Sequence, residues 1–156
     1  MRSKGIKQFR PSKKSRFKQG YVNNKTCRKL FESQQNRPII YRSSYELKFM
    51  EWCERSNTVK LWGSECICIS YTNPLDGKRH NYYPDFLLEL NDGTLMLVEI
   101  KAYNQTVPPP ADACDVNNYQ YTEYVRNMAK WTAARTYCEN NGMVFKIFTE
   151  RTISRL

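Results

Sequence analysis

Asn91-Asp92-Gly93, set between two strand-like runs, restricts how this chain can fold more than any other feature. Gly suits the left-handed position of a three-residue hairpin loop, which makes Leu90 and Thr94 the closing pair. Paired residue numbers in an antiparallel ladder keep a constant sum, so Asp85 is predicted to face Glu99 across the hairpin. Directly opposed Cβ atoms lie roughly 4.5–5.5 Å apart. Lys101, two residues past Glu99, projects from the same face.

Two opposed carboxylates repel each other and weaken a sheet. A divalent cation removes that penalty, because carboxylate oxygens are the ligands hard cations prefer. Such an ion polarises a phosphoryl oxygen and acidifies a bound water, and a nearby ammonium offsets charge building on the phosphate. Phosphodiester hydrolysis is the chemistry these parts fit. The plainer alternative is an ordinary Lys101–Glu99 salt bridge with Asp85 facing water. Glu46-Leu47-Lys48 and Asp76-Gly77-Lys78 repeat the acid-x-Lys spacing, but the first falls in a predicted helix and the second in a turn. Glu99-Ile100-Lys101 alone follows an apolar strand run, Leu95-Met96-Leu97-Val98.

Around the hairpin the periodicities predict a helix over 44–54, with Ser43 as N-cap and Glu46 completing a capping box. Strands are expected over 65–71, 80–90, 94–102 and 143–149, and a long helix over 118–140 stopped by Asn141-Gly142. Pro108-Pro109-Pro110 excludes regular helix or central strand over 106–114. The order implies an α/β chain with a mixed four-stranded sheet flanked by helices.

Charge divides the chain. Thirteen of its 25 Lys and Arg, but one of its 15 acids, lie in residues 1–42. Residues 1–37 are therefore expected to be a basic arm, with Tyr21 and Leu30-Phe31 able to dock on a globular domain over 38–156. Lys13, Lys14, Arg16 and Lys18 suit a polyanion, because Lys and Arg displace counterions from phosphates. The arm lacks the apolar face a membrane surface would need. No run of about 18 apolar residues and no signal-like segment is apparent. Six scattered cysteines without a C-x-x-C pair point to reduced thiols in a cytosolic compartment, with Cys66 and Cys68 lining one face of a strand rather than holding zinc. The single histidine, His80, is expected to be a satisfied surface residue.

Pro84-Asp85 with Glu99-Ile100-Lys101 resembles the signature of the PD-(D/E)xK nuclease superfamily, whose fold is restriction-endonuclease-like. Within it the chain is similar to the head-completion nucleases of tailed bacteriophages. That likeness covers about residues 39–150, through Tyr41-Arg42-Ser43-Ser44-Tyr45-Glu46, Trp62-Gly63-Ser64-Glu65, Pro74-Leu75-Asp76-Gly77-Lys78, Tyr83-Pro84-Asp85-Phe86 and the Lys130-Trp131 to Tyr137-Cys138 helix. The resemblance implies a DNA endonuclease dependent on Mg²⁺, with Mn²⁺ as a substitute, acting after packaging in head completion. Asp85, Glu99, the Ile100 carbonyl and Glu46 would hold metal, and Lys101 would serve the water. Arg42 and Gln105 are further candidates for DNA contact. DNA, phage head or neck proteins and a second copy of the chain are the implied partners. The host cytoplasm, or the virion, is the implied location. The rival reading is a non-catalytic DNA-binding or plug protein that keeps a nuclease fold. A nuclease for branched or transposon ends is a third.

Overall fold

The computed structural model describes residues 11, 12, 14 and 18–156. At its centre is the hairpin of β6 (Phe86–Leu90) and β7 (Leu95–Ile100). Phe86 pairs with Val98 and Leu88 with Met96, the register expected from the turn. The Leu90 N–H donates to the Thr94 carbonyl at 2.9 Å, and Gly93 takes φ 87°, which side chains with a Cβ rarely adopt. β3 (Val59–Ser64) joins the outer edge of β6 antiparallel. β8 (Val144–Phe148) joins β7 in parallel, after the crossover helix α2 (Tyr119–Asn140). The sheet is thus four-stranded and mixed, in the order β3-β6-β7-β8.

Strand alternation assigns each face its core. Phe86, Leu88 and Val98 point to α1 (Ser44–Arg55), where Phe49, Met50 and Cys53, with Trp62 of β3, complete one buried cluster. Leu87 and Leu97 point the other way, toward Trp131, Ala134 and Cys138 of α2. Asn127, Trp131, Ala134 and Cys138 recur at spacings of three and four, the buried stripe of an amphipathic helix. Asn118 caps α2 by accepting from the Gln120 and Tyr121 N–H groups.

Three expectations need correction. The predicted strand over 65–71 does not exist as such. Glu65 adopts φ 51°, 66–68 are irregular, and β4 (Ile69–Thr72) begins only afterwards. Cys66 and Cys68 therefore line no strand. The edge position of the sheet is filled instead by β3, whose pattern is obscured by a register irregularity between Val59 and Leu61 and by Gly63. A Cβ at Gly63 would collide with Cys66 Sγ and sit 3.0 Å from Gln34 and Phe31.

The predicted strand over 80–90 is two strands. β5 (Arg79–Tyr82) pairs with β4 in a separate ribbon, and Tyr83-Pro84-Asp85 carries the chain from there into β6. Proline lacks the N–H that a continuing ladder would use.

Part of the segment before Pro38 docks on the body, as expected of Leu30. β1 (Gly20–Val22) pairs with β2 (Ile39–Tyr41), and Leu30 bridges Trp62 and is 2 % exposed. Tyr21, by contrast, stays exposed. Finally, α3 (Glu150–Ile153), one turn too short to show a period, follows β8. Among the described residues no helix is long and apolar enough to cross a membrane.

Candidate active site

The break at Pro84 decides where the acids sit. Pro84 is buried, and Asp85 follows it at the mouth of β6, its carbonyl accepting the Glu65 N–H at 3.0 Å. Its side chain turns toward β7, where Oδ2 accepts the Ile100 N–H at 2.7 Å. Glu99 is 6 % exposed, and its Oε2 accepts the Tyr82 hydroxyl at 2.7 Å. Lys101 Nζ lies 3.9 Å from Glu99 Oε1, a loose ion pair at the outer limit of contact. The hairpin register therefore brings Asp85, Glu99 and Lys101 to one corner.

The corner is short of compensating charge. Burial, then Glu99 and Glu46, push the Asp85 carboxyl well above its ordinary range, against the Ile100 N–H and Lys101. Burial also raises Glu99, opposed by Lys101, the Tyr82 hydroxyl and Lys130. Burial likewise raises Glu46, opposed by Arg42. Desolvation and like charge act together here, the condition under which carboxyl groups hold protons unless a cation replaces them.

Glu46 enters from α1. Ser43 accepts the Glu46 N–H at 3.1 Å as the expected N-cap. Glu46 Oε2 reaches back to the Arg42 N–H at 2.8 Å, one residue before the cap, so the capping box is offset. One carboxylate oxygen is thus spent on the start of the helix. Arg42 pairs with Glu65, whose backbone is left-handed. Gln105 is exposed, in a single 3-10 turn over Tyr103–Gln105. That turn is fixed from α3: Glu150 accepts the Tyr103 N–H at 2.8 Å, and the Arg151 guanidinium stacks 3.5 Å from the Tyr103 ring centroid. Ile100 lies in the β7–β8 ladder opposite Phe148. Lys14 and Lys18 are exposed and away from regular structure, while Lys13 and Arg16 lie outside the described residues. His80 is paired with Asp76 at 2.7 Å, as a surface residue would be.

A buried Glu99 and a half-buried Asp85 with one loose ammonium suit a hard divalent cation that keeps part of its coordination for water and phosphate. No three His, Cys, Asp or Glu side chains among the described residues converge closely enough to enclose an ion unaided. Asp85 and Glu99 are therefore the side chains best placed to hold one, with Glu46 at the margin.

Tyr82 was not apparent from sequence. It belongs to the ribbon rather than the main sheet, and no spacing links it to Glu99. Lys130 left a signal, as a lysine next to Trp131 at the border of the buried stripe of α2.

The family described as "TnsA-like endonuclease N terminal" matches residues 56–150. The head completion nuclease of Enterobacteria phage T4 is 32% identical over 118 residues, covering 72% of this chain and 79% of that protein.

Proposed function

Because the chain belongs to the TnsA-like endonuclease family, with its restriction-endonuclease-like fold, we propose that it is a Mg²⁺-dependent DNA endonuclease acting in phage head completion after packaging. The observation that carries this reading is the pairing of Asp85 with buried Glu99 beside Lys101. A protein shaped for stability alone would not leave two acids so poorly compensated.

Asp85 and Glu99, with the Ile100 carbonyl, would hold a divalent ion, Mg²⁺ or Mn²⁺, that supplies Lewis acidity toward the phosphoryl oxygen and activates water. The Ile100 N–H fixes the Asp85 carboxylate through one oxygen. The Tyr82 hydroxyl does the same for Glu99 through Oε2, leaving Oε1 toward Lys101. Lys101 orients the attacking water and offsets the negative charge that grows on the phosphate. Its backbone is held by the Phe148 carbonyl at 2.9 Å, so the ammonium works from a fixed base. Arg42, Lys14 and Lys18 supply sequence-independent attraction for the DNA backbone.

The match to the phage nuclease over 79% of that protein favours head completion over the processing of branched or transposon ends. In that setting the partners are DNA and the head or neck of the particle, in the cytoplasm of the infected host, and a homodimer would cut both strands. The test is nicking of supercoiled plasmid with Mg²⁺ or Mn²⁺, comparing wild type with Asp85→Ala. Metal-dependent nicking that drops by about a thousandfold, equivalent to ~4 kcal/mol of transition-state stabilisation, is expected. Equal nicking by both proteins, or by neither, defeats the proposal and leaves the plug reading.

A further inference from the structure

Lys130 lies midway along α2, on the side that packs against the β4–β5 ribbon and the corner. Its neighbour Trp131 and, one turn earlier, Asn127 are buried, and Lys130 itself is half-buried. Its Nζ stands 5.6 Å from the ring centroid of Tyr82 and 6.0 Å from that of Tyr71. No carboxylate among the described residues lies within 4.0 Å of it, whereas Lys101 reaches Glu99 and Arg42 reaches Glu65. Ring faces attract an ammonium without using its N–H groups. The two tyrosines therefore hold the charge in place while its donors remain available.

That placement is costly for a residue with a purely structural role. Burial disfavours the charged form of Lys130, and Lys101 repels it further. Glu99 and Asp85 attract it, which locates it within the field of the acidic corner. Lys130 thus feels the same two acids that Lys101 faces, and the two ammonium groups repel each other. An anionic group with several acceptor oxygens would satisfy both. Tyr71, one of the rings beside Lys130, also lines an open groove of about 690 Å³ between α2 and β4, with Arg79, Tyr121, Tyr124 and Met128. Aromatic walls with a cation suit a nucleic-acid strand, whose bases and sugars can lie against rings while phosphates meet the charge.

We propose that Lys130, positioned by Tyr71 and Tyr82, binds a backbone phosphate of the cleaved DNA strand and guides that strand from the acidic corner into the α2–β4 groove. This rests on the endonuclease reading above.

The test uses the full chain. Binding to a labelled duplex is followed by fluorescence anisotropy in EDTA, across a series of KCl concentrations, for wild type, Lys130→Met and Lys130→Arg. Methionine keeps an unbranched apolar stem over the tyrosines, and thermal melting checks that the fold is retained. Loss of one phosphate contact lowers the slope of log affinity against log salt by about 0.9. Lys130→Met should show that reduction with several-fold weaker binding, and Lys130→Arg should retain the wild-type slope. An unchanged slope for Lys130→Met overturns the phosphate contact, whether affinity is unchanged or falls together with the melting temperature. Plasmid nicking by wild type and Asp85→Ala is scored in parallel. Nicking by wild type with an unchanged Lys130→Met slope overturns this contact alone. No nicking by wild type overturns the endonuclease reading and the contact with it.

Discussion

Glu54, near the end of α1, accepts the N–H groups of Arg28 at 2.8 Å and Lys29 at 3.2 Å and the indole N–H of Trp62 at 2.7 Å. On the other side of the sheet Asp85 accepts the N–H of Ile100, and Glu99 the hydroxyl of Tyr82 with Lys101 at a distance. Both regions draw carboxylates inward. Around Glu54 the protein's own donors meet the charge, which ties residues 28–30 to α1 and to β3. Around Asp85 and Glu99 it supplies too few: burial raises the proton affinity of both acids, and Glu99 raises that of Asp85 further. The first arrangement contributes to stability, and the second sacrifices some of it. The same contrast divides the two cores, since among the described residues the α2 side also holds Lys130 with no carboxylate within 4.0 Å and two buried donors, Asn127 Nδ2 and Trp131 Nε1, with no hydrogen-bond partner.

The contrast breaks if the two regions respond alike to substitution. Glu54→Ala leaves two backbone N–H groups and an indole N–H unmet, and should destabilise the fold by about 3 kcal/mol in urea denaturation. Below its lowered melting temperature it should still nick plasmid within a few-fold of wild type. Loss of nicking in the folded variant would show that the two regions are coupled.

Asp85→Asn should do the reverse in metal-free protein. The folded pKa of Asp85 lies above its unfolded value, so folded protein holds more protons and stability declines as pH rises from the unfolded pKa through the folded one. Asparagine removes that loss. Its melting temperature should exceed wild type at pH 8 in EDTA, and the gain should vanish near pH 4, where the unfolded aspartate also protonates. A variant less stable than wild type at pH 8 would show that Asp85 is satisfied by the protein alone.

The smallest effect is expected at Asn127. An unpaired buried amide can be replaced by an apolar side chain at little cost, so Asn127→Leu should shift stability by less than about 1 kcal/mol in either direction. A loss above roughly 2 kcal/mol would mean that the amide has a partner after all, and would make the α2 side as self-sufficient as the α1 side.

What the sequence disclosed follows from the range over which each determinant acts. The β6–β7 register was legible because one turn and a period of two fix it locally, and the meeting of Asp85, Glu99 and Lys101 came with it. α1 and α2 were legible from caps and stripes. β3 was not, because its partner lies on β6 and a bulge breaks its alternation. The strand ending at Leu90 looked continuous because Tyr82 and Phe86 are both apolar and buried. Only tertiary packing sends one to the α2 side and the other to the α1 core. Tyr82 reaches Glu99 from an element whose placement depends on that same packing. The offset of Glu46 onto the Arg42 N–H could not be foreseen, since a capping-box sequence does not state which N–H its acid will choose.

The turn at 91–93 and the acidic corner lie at opposite ends of the same two strands. At about 3.4 Å per residue, the six steps from Asp85 to Asn91 separate them by ~20 Å. A fluorophore or surface tether attached through that loop therefore has room to sit clear of a duplex seated at the corner. The hairpin that aligns the acids thereby also offers an attachment point for watching single DNA molecules arrive and depart.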